Sequence, residues 1–138
     1  MEVILDVENA VAGRAASIAA KEIMKGNKVF IVNAEKALVT GDQKYSITLY
    51  REKVSRGDRY NGPFYPRSPD RILKRMVRGM IPRRKPIGRE AWKNLRVYIS
   101  VPEELSGKDF RSLKGDVQGK AITLEKLSKE IGWRKHAQ

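Results

Sequence analysis

Ten basic side chains between residues 67 and 93 are the groups of this 138-residue chain best suited to chemistry. The segment contains seven Arg, three Lys and two acidic residues, so it supplies eight of the thirteen formal excess positive charges. A guanidinium group is planar and can donate two parallel hydrogen bonds to a phosphate or a carboxylate. The spacing therefore predicts a surface that recognises a polyanion. The basic residues are Arg67, Arg71, Lys74, Arg75, Arg78, Arg83, Arg84, Lys85, Arg89 and Lys93.

The first element that must position these cations is a helix predicted over residues 68–79. Ser68 suits the N-cap, Pro69 suits the first helical position, and Gly79 is expected to end the helix in a left-handed conformation. At about 100° per residue, the apolar and the basic side chains fall on separate faces. The apolar face consists of Ile72, Leu73, Met76, Val77 and Met80, and the basic face consists of Arg71, Lys74, Arg75 and Arg78. One face is expected to pack and the other to carry charge.

A second helix is predicted over residues 86–94, after Pro82 and a basic loop at residues 83–85. Ile87, Ala91 and Leu95 recur at intervals of four and predict a packed side. Arg89 and Lys93 share the same interval on a different side. The two helices and the loop between them are therefore expected to form one cationic surface.

The basic face has two interpretations, a solvated surface or a binding surface. A solvated helix face usually mixes acidic and basic residues, because like charges four residues apart repel by about 0.2–0.5 kcal/mol per pair. Arg71 and Arg75 are such a pair, and so are Lys74 and Arg78. An external anion would offset this repulsion. The net charge of +13 and the pI near 10.2 point to nucleic acid, an acidic protein or an anionic membrane surface, and composition does not choose among them.

The rest of the chain predicts an α/β fold. Residues 3–5 form a short apolar run, an alanine-rich amphipathic segment follows, and residues 29–32 are continuously apolar. This order predicts a β-α-β unit with parallel strands. Residues 95–101 predict a further strand of the same sheet. Residues 42–55 fit either a strand or a helix, with a helix favoured, and Thr123 is expected to cap a final helix.

The chain is expected to form a single domain over residues 1–138, with an irregular arm at about 56–66 and an extended C-terminal region at about 103–138. The arm holds Tyr60, Phe64 and Tyr65 among turn-forming residues. These rings could anchor the arm to the core or stack on splayed nucleic-acid bases. Anchoring is the favoured interpretation.

Several features argue against an enzyme and against a membrane protein. The turn at residues 6–14 contains one glycine, so the glycine-rich phosphate loops of nucleotide-binding proteins are missing. There is no Cys, and the sole His136 lies near the end of the chain, so neither thiol chemistry nor a metal site is expected. Asp6 is expected to form local hydrogen bonds in the strand-to-helix turn. No catalytic residue, cofactor, metal or small-molecule substrate is predicted, and no apolar run approaches the roughly 20 residues that span a bilayer.

A set of motifs then resembles one family. Four motifs occur in the order and spacing of the universal ribosomal protein L13 family of the large subunit. They are Gly13-Arg14-Ala15-Ala16-Ser17, Val32-Asn33-Ala34-Glu35-Lys36 with Thr40-Gly41, Arg78-Gly79-Met80-Ile81-Pro82, and Gly88-Arg89 with Ala91. The arm and the C-terminal Ile131-Gly132-Trp133 resemble its archaeal and eukaryotic branch. The arginine-glycine-methionine-isoleucine-proline core is the most specific part.

The resemblance implies a three-layer α/β/α fold with a small, mainly parallel sheet and peripheral basic helices. It also implies a structural constituent of the large ribosomal subunit, located in the cytoplasm as part of the ribosome. Expected partners are large-subunit rRNA, bound through the ten cations, and neighbouring ribosomal proteins, with a role in early subunit assembly and no catalysis. Two alternatives remain open from the residues alone: a small RNA-acting or nucleotide-using α/β enzyme, and a regulator that binds an mRNA hairpin.

Overall fold

The computed structural model describes residues 1–115, 117 and 119–134. Among them it contains five α-helices, six β-strands and two short 3-10 turns, at Ala34–Lys36 and Glu103–Leu105. The strands are β1 (Glu2–Asp6), β2 (Lys28–Val32), β3 (Leu38–Thr40), β4 (Leu95–Val97), β5 (Arg111–Ser112) and β6 (Ala121–Thr123). The helices are α1 (Ala12–Met24), α2 (Gln43–Ser55), α3 (Pro69–Arg78), α4 (Pro86–Trp92) and α5 (Leu124–Glu130).

The central sheet has four parallel strands in the order β4-β2-β1-β5. Val3 of β1 lies beside Val29 of β2, and Val29 lies beside Leu95 of β4. A second, antiparallel pair joins β3 to β6. The mainly parallel sheet flanked by helices confirms the predicted α/β class and is consistent with a three-layer α/β/α arrangement.

Both faces of the sheet are covered, because successive side chains of a strand point to opposite sides. Leu5, Val29 and Ile31 belong to the main core, together with the alanine face of α1. Small side chains on that face allow the helix to lie close to the strands. Ile4 and Val32 point to the other side and form a smaller cluster with Leu105, against which Phe30 and Tyr98 pack.

Helix α3 confirms the predicted division of faces and corrects its predicted end. Ile72, Leu73 and Val77 are fully buried in the main core, whereas Met80, beyond the end of the helix, is 47% exposed. Gly79 has φ −69°, a right-handed conformation, so the expected left-handed stop is wrong. The chain instead turns at residues 79–82, where Met80 N–H donates to the Val77 carbonyl at 3.0 Å and Pro82 prevents continuation of the helix.

Helix α4 is held close to the basic loop at residues 83–85. Gly88 is buried, and a Cβ atom there would overlap the carbonyl oxygen of Pro82, so only glycine allows this approach. The Lys85 N–H donates to the same carbonyl at 3.0 Å. Ala91 and Leu95 are buried as predicted, but Ile87 is 60% exposed. The prediction that Ile87 packs inward is wrong, because the buried residues of α4 are the small Gly88 and Ala91.

Three other predictions are settled by the structure. Residues 42–55 are helical, as favoured, and the Thr123 hydroxyl caps α5 by accepting from the Lys126 N–H at 3.3 Å. The predicted strand at residues 95–101 is too long, since β4 ends at Val97 and Val101 is exposed. The short strands β3, β5 and β6 were not predicted.

Candidate nucleic-acid interface

Helix α3 presents its cations on the side opposite to its buried residues. Arg71 and Arg75 are exposed, whereas Lys74 and Arg78 are half-buried at the rim of the helix. Because Ile72, Leu73 and Val77 fix the rotation of the helix in the core, the outward direction of the basic face follows from packing. The other six predicted site residues are exposed: Arg67, Arg83, Arg84, Lys85, Arg89 and Lys93.

The cations of this surface have few acidic partners. Among the residues that the structure describes, only Lys93 of the ten forms an ion pair, with Glu90 at 3.5 Å, and both side chains are more than two-thirds exposed. The other nine have no carboxylate within ion-pair distance in the same part of the chain. Their guanidinium and ammonium groups are therefore available to an external anion.

A shallow groove of about 250 Å³ lies between α3, α4 and the arm at residues 56–66. Among the described residues, its lining contains four cations, two aromatic rings and one proline, and no acidic residue. The Nζ atom of Lys74 lies 5.2 Å from the centroid of the Trp92 ring, a cation–π contact that holds both side chains at the groove wall. The lining residues are Phe64, Pro66, Arg71, Lys74, Arg75, Arg78 and Trp92.

The arm is attached to the core by Tyr65. Its ring lies edge-on to the ring of Tyr50 with centroids 5.9 Å apart, and Lys53 Nζ lies 4.8 Å from the Tyr50 centroid and 5.5 Å from the Tyr65 centroid. Burial, and then the neighbouring Tyr65, raises the pKa of Tyr50 to about 12, and burial raises the pKa of Tyr65. Of the three aromatic residues in the arm, Tyr65 is the anchor, whereas Tyr60 and Phe64 are 80% and 73% exposed.

Arg56 and Arg59 extend the cationic surface beyond the predicted site. They line a second hollow, of about 640 Å³, between the arm and the C-terminal Trp133, together with Arg67 and Arg71. Asp58 is the only acidic residue of that lining. The alternation of basic and aromatic residues in the arm was the sequence signal for this extension, but the arm could not be placed beside α3 from the sequence.

The end of strand β1, where an α/β enzyme would place its chemistry, has a structural role. Asp6 Oδ1 accepts hydrogen bonds from the Glu8 N–H and from Asn33 Nδ2, both at 3.0 Å. This confirms the predicted local role of Asp6.

His136 lies outside the described residues. Within residues 1–115, 117 and 119–134, no group of three His, Cys, Asp or Glu side chains could hold a metal ion, and no helix is long and apolar enough to cross a membrane.

The fold and this surface define a class: a basic α/β protein with an exposed cationic face. The family model described as "Ribosomal protein L13" matches residues 1–104. The chain belongs to the ribosomal protein L13 family.

Curated relatives agree with this assignment. The chain is 40% identical to the large ribosomal subunit protein uL13 of Archaeoglobus fulgidus over 95% of its own length and 88% of the relative's. It is 43% identical to uL13 of Methanopyrus kandleri, with 95% and 87% coverage, and 41% identical to uL13 of Methanocaldococcus jannaschii, with 94% and 96% coverage. These relatives place the chain with the archaeal type of the family. They are ribosomal proteins and not enzymes, so the enzyme alternative is removed.

Proposed function

We propose that this chain is a structural constituent of the large ribosomal subunit that binds large-subunit rRNA through helices α3 and α4 and the loop between them. The observation that carries the proposal is the basic face of α3, which is directed outward by a buried face and lacks acidic partners among the described residues. The proposed RNA-binding residues are Arg67, Arg71, Lys74, Arg75, Arg78, Arg83, Arg84, Lys85, Arg89 and Lys93.

RNA fits this surface better than the other polyanions suggested by composition. Seven of the ten cations are Arg, whose planar donors match phosphate oxygens in pairs. A rigid array of such groups recognises the spacing of phosphates along a folded RNA, so shape rather than base sequence is the main feature recognised. The relatives are large ribosomal subunit proteins. We therefore expect large-subunit rRNA to be the bound RNA and other ribosomal proteins to be the neighbours.

The salt dependence of binding tests the electrostatic part of the proposal. If six to nine phosphates are neutralised, the logarithm of the association constant should fall against the logarithm of salt concentration with a slope of about −4 to −8. The measurement is a filter-binding or anisotropy titration of a large-subunit rRNA fragment at several salt concentrations. A slope shallower than about −2 would contradict a surface of this size.

The identity of the RNA requires a second experiment. Sequencing of RNA cross-linked to the protein in cells should recover mainly large-subunit rRNA, whereas predominant recovery of one mRNA would support a regulator.

The assembly role is tested by reconstitution of the large subunit. Withholding the protein from the first step and adding it last should lower the yield of complete subunits if it enters early, and should leave the yield unchanged if it enters late.

A further inference from the structure

Phe64 occupies a central position on the surface between the arm and α3. Its side chain is 73% exposed, and it lines both the groove and the larger hollow described above. It also lines a third hollow, of about 460 Å³, next to Tyr50 and Met76. A large apolar ring is therefore open to solvent at the point where three hollows meet.

The position of this ring is determined by the closed loop of the arm. Asp58 N–H donates to the Gly62 carbonyl at 3.1 Å, and Gly62 N–H donates back to the Asp58 carbonyl at 3.0 Å. A Cβ atom on Gly62 would come within 3.0 Å of Cδ2 of Phe64, so the ring lies directly against the backbone of that residue. Tyr65, the next residue, points inward to Tyr50. Phe64 thus rests against the Gly62 backbone, and its ring faces outward while the next side chain faces inward.

The charge around the ring is almost entirely positive. Within the part of the chain that the structure describes, Asp58 is the single acidic residue in the linings of the three hollows. Its carboxylate already accepts from the Tyr60 N–H and from Asn61 Nδ2, both at 3.4 Å. The basic residues of these linings are Lys53, Arg56, Arg59, Arg67, Arg71, Lys74, Arg75 and Arg78.

A nucleotide has the two groups that such a surface would accommodate. Its phosphate pairs with guanidinium groups, and its base has a flat face that stacks on an aromatic ring. The carboxylates of an acidic peptide would satisfy the cations but have no aromatic face to stack on the ring, whereas each nucleotide carries both groups. A base within a duplex is stacked on its neighbours, so only an unpaired base can be accommodated in this way.

We propose that Phe64 is a stacking platform for one unpaired base of the bound RNA, with the adjoining phosphates held by Arg71, Arg75 and the basic residues of the arm. The inference rests on the proposed function, because it requires RNA at this surface. It adds the arm to the interface formed by α3 and α4, and it adds recognition of a single-stranded nucleotide to recognition of phosphate positions.

The test compares two probes of equal length, a single-stranded oligoribonucleotide and a blunt RNA duplex. Phe64→Ala should weaken binding of the single strand by about 5- to 150-fold, the range that corresponds to loss of one stacked aromatic ring, and should leave duplex binding nearly unchanged. Phe64→Trp should retain binding of the single strand, whereas Phe64→Leu, which is apolar but not aromatic, should not. Tyr60→Ala is the control on the same arm, since this ring is 80% exposed and is absent from the linings of the three hollows. Its ring contacts Arg59 at 5.9 Å, so any effect through that cation should be small and equal for both probes.

A cross-link provides a readout that does not depend on any variant. Irradiation of the native protein with a single strand carrying 5-iodouridine should attach the RNA to Phe64, as identified by mass spectrometry of the peptides. The inference would be overturned if the RNA attached to another residue, or if Phe64→Ala or Phe64→Leu bound the single strand as tightly as the native protein does. It would also be overturned if Phe64→Ala weakened binding of the single strand and of the duplex equally.

The variant Arg75→Ala/Arg78→Ala separates failure of this inference from failure of the proposed function. If this double variant weakens binding of both probes and Phe64→Ala weakens neither, RNA binding stands and base stacking fails. If neither variant weakens either probe, the proposed RNA surface fails as well. Because Phe64 is exposed, its alanine variant should melt at the same temperature as the native protein. If the alanine variant melts at a lower temperature, the cross-link and the RNA binding of Phe64→Trp decide whether Phe64 stacks on a base.

Discussion

Two basic regions of the molecule, the outer face of α3 and the junction between α2 and α5, differ in how their charges are satisfied. At the junction, Lys129 pairs with Glu125 at 3.1 Å and Arg51 with Glu130 at 3.2 Å. Lys126 Nζ also donates to Gln43 Oε1 at 3.0 Å. On α3, no basic residue has an acidic partner within the described residues.

In our proposal, the lack of acidic partners, rather than the amount of charge, distinguishes the RNA-binding surface from the other basic region. Arg51 and Lys126 link α2 to α5, and Lys129 pairs within α5, so each of these cations has a partner in its own chain. Cations on α3 repel one another, and the contact of Lys74 with the Trp92 ring leaves them without an acidic partner among the described residues. Only an external anion makes their arrangement favourable, which is why the proposed site lies on α3 and not on α5.

The largest expected effect comes from the inner face of α3. Leu73 is fully buried, so Leu73→Ala should lower the free energy of unfolding by about 2–5 kcal/mol through lost burial and the cavity that remains. Urea denaturation measures this loss. At a temperature where the variant is folded, its RNA affinity should match that of the native protein. Weaker RNA binding by the fully folded variant would mean that the two faces of α3 are not independent.

A smaller effect is expected from pH at the contact between α2 and the arm. Because the pKa of Tyr50 is raised to about 12 from 10.0, the folded state favours the neutral phenol. The resulting stability is fully present below pH 10 and is lost as the pH rises toward 12, by about 2 kcal/mol. Urea denaturation across this range should show the loss in the native protein and a smaller loss in Tyr50→Phe. Parallel pH profiles would contradict the assignment to Tyr50.

The smallest effect is expected at the α2–α5 junction. Arg51 and Glu130 are partly exposed, so Arg51→Ala should cost only about 0.2–1 kcal/mol of stability, and less at high salt. Its RNA affinity should change little, because this guanidinium already has a partner. A loss of RNA affinity as large as that caused by changes on α3 would remove the distinction between the two regions.

The sequence predicted those parts of the fold that have a local pattern. Strands β1 and β2 are apolar runs, α3 separates its faces cleanly, and Thr123 is a standard N-cap. Strands β5 and β3 were missed for a different reason. Arg111 and Ser112 are polar and exposed and become a strand only by pairing with Leu5 and Asp6, while β3 is a short run defined by pairing with β6, about 80 residues away. Such partners cannot be identified from the residues alone.

The candidate site, too, could be predicted only where the sequence has a local pattern. The outward direction of Arg71 and Arg75 follows from helical periodicity, and the structure agrees with it. The exposure of Ile87 could not be foreseen, because Gly88 allows α4 to approach the Pro82 carbonyl and turns the neighbouring side chain outward. The position of Phe64 beside α3 depends on the attachment of Tyr65 to Tyr50, a tertiary contact with no local signal.

The most direct test of the central claim is the salt dependence of rRNA binding by Arg75→Ala/Arg78→Ala, measured beside Lys21→Ala/Lys25→Ala, which removes the same charge from the last turn and C-cap of α1. Loss of two phosphate contacts should reduce the magnitude of the log–log slope by about 1.4–1.8 and weaken binding at least tenfold, with no change in melting temperature. The α1 control should keep nearly the native slope. Equal slopes for the two double variants, or unfolding of the α3 variant, would contradict the account.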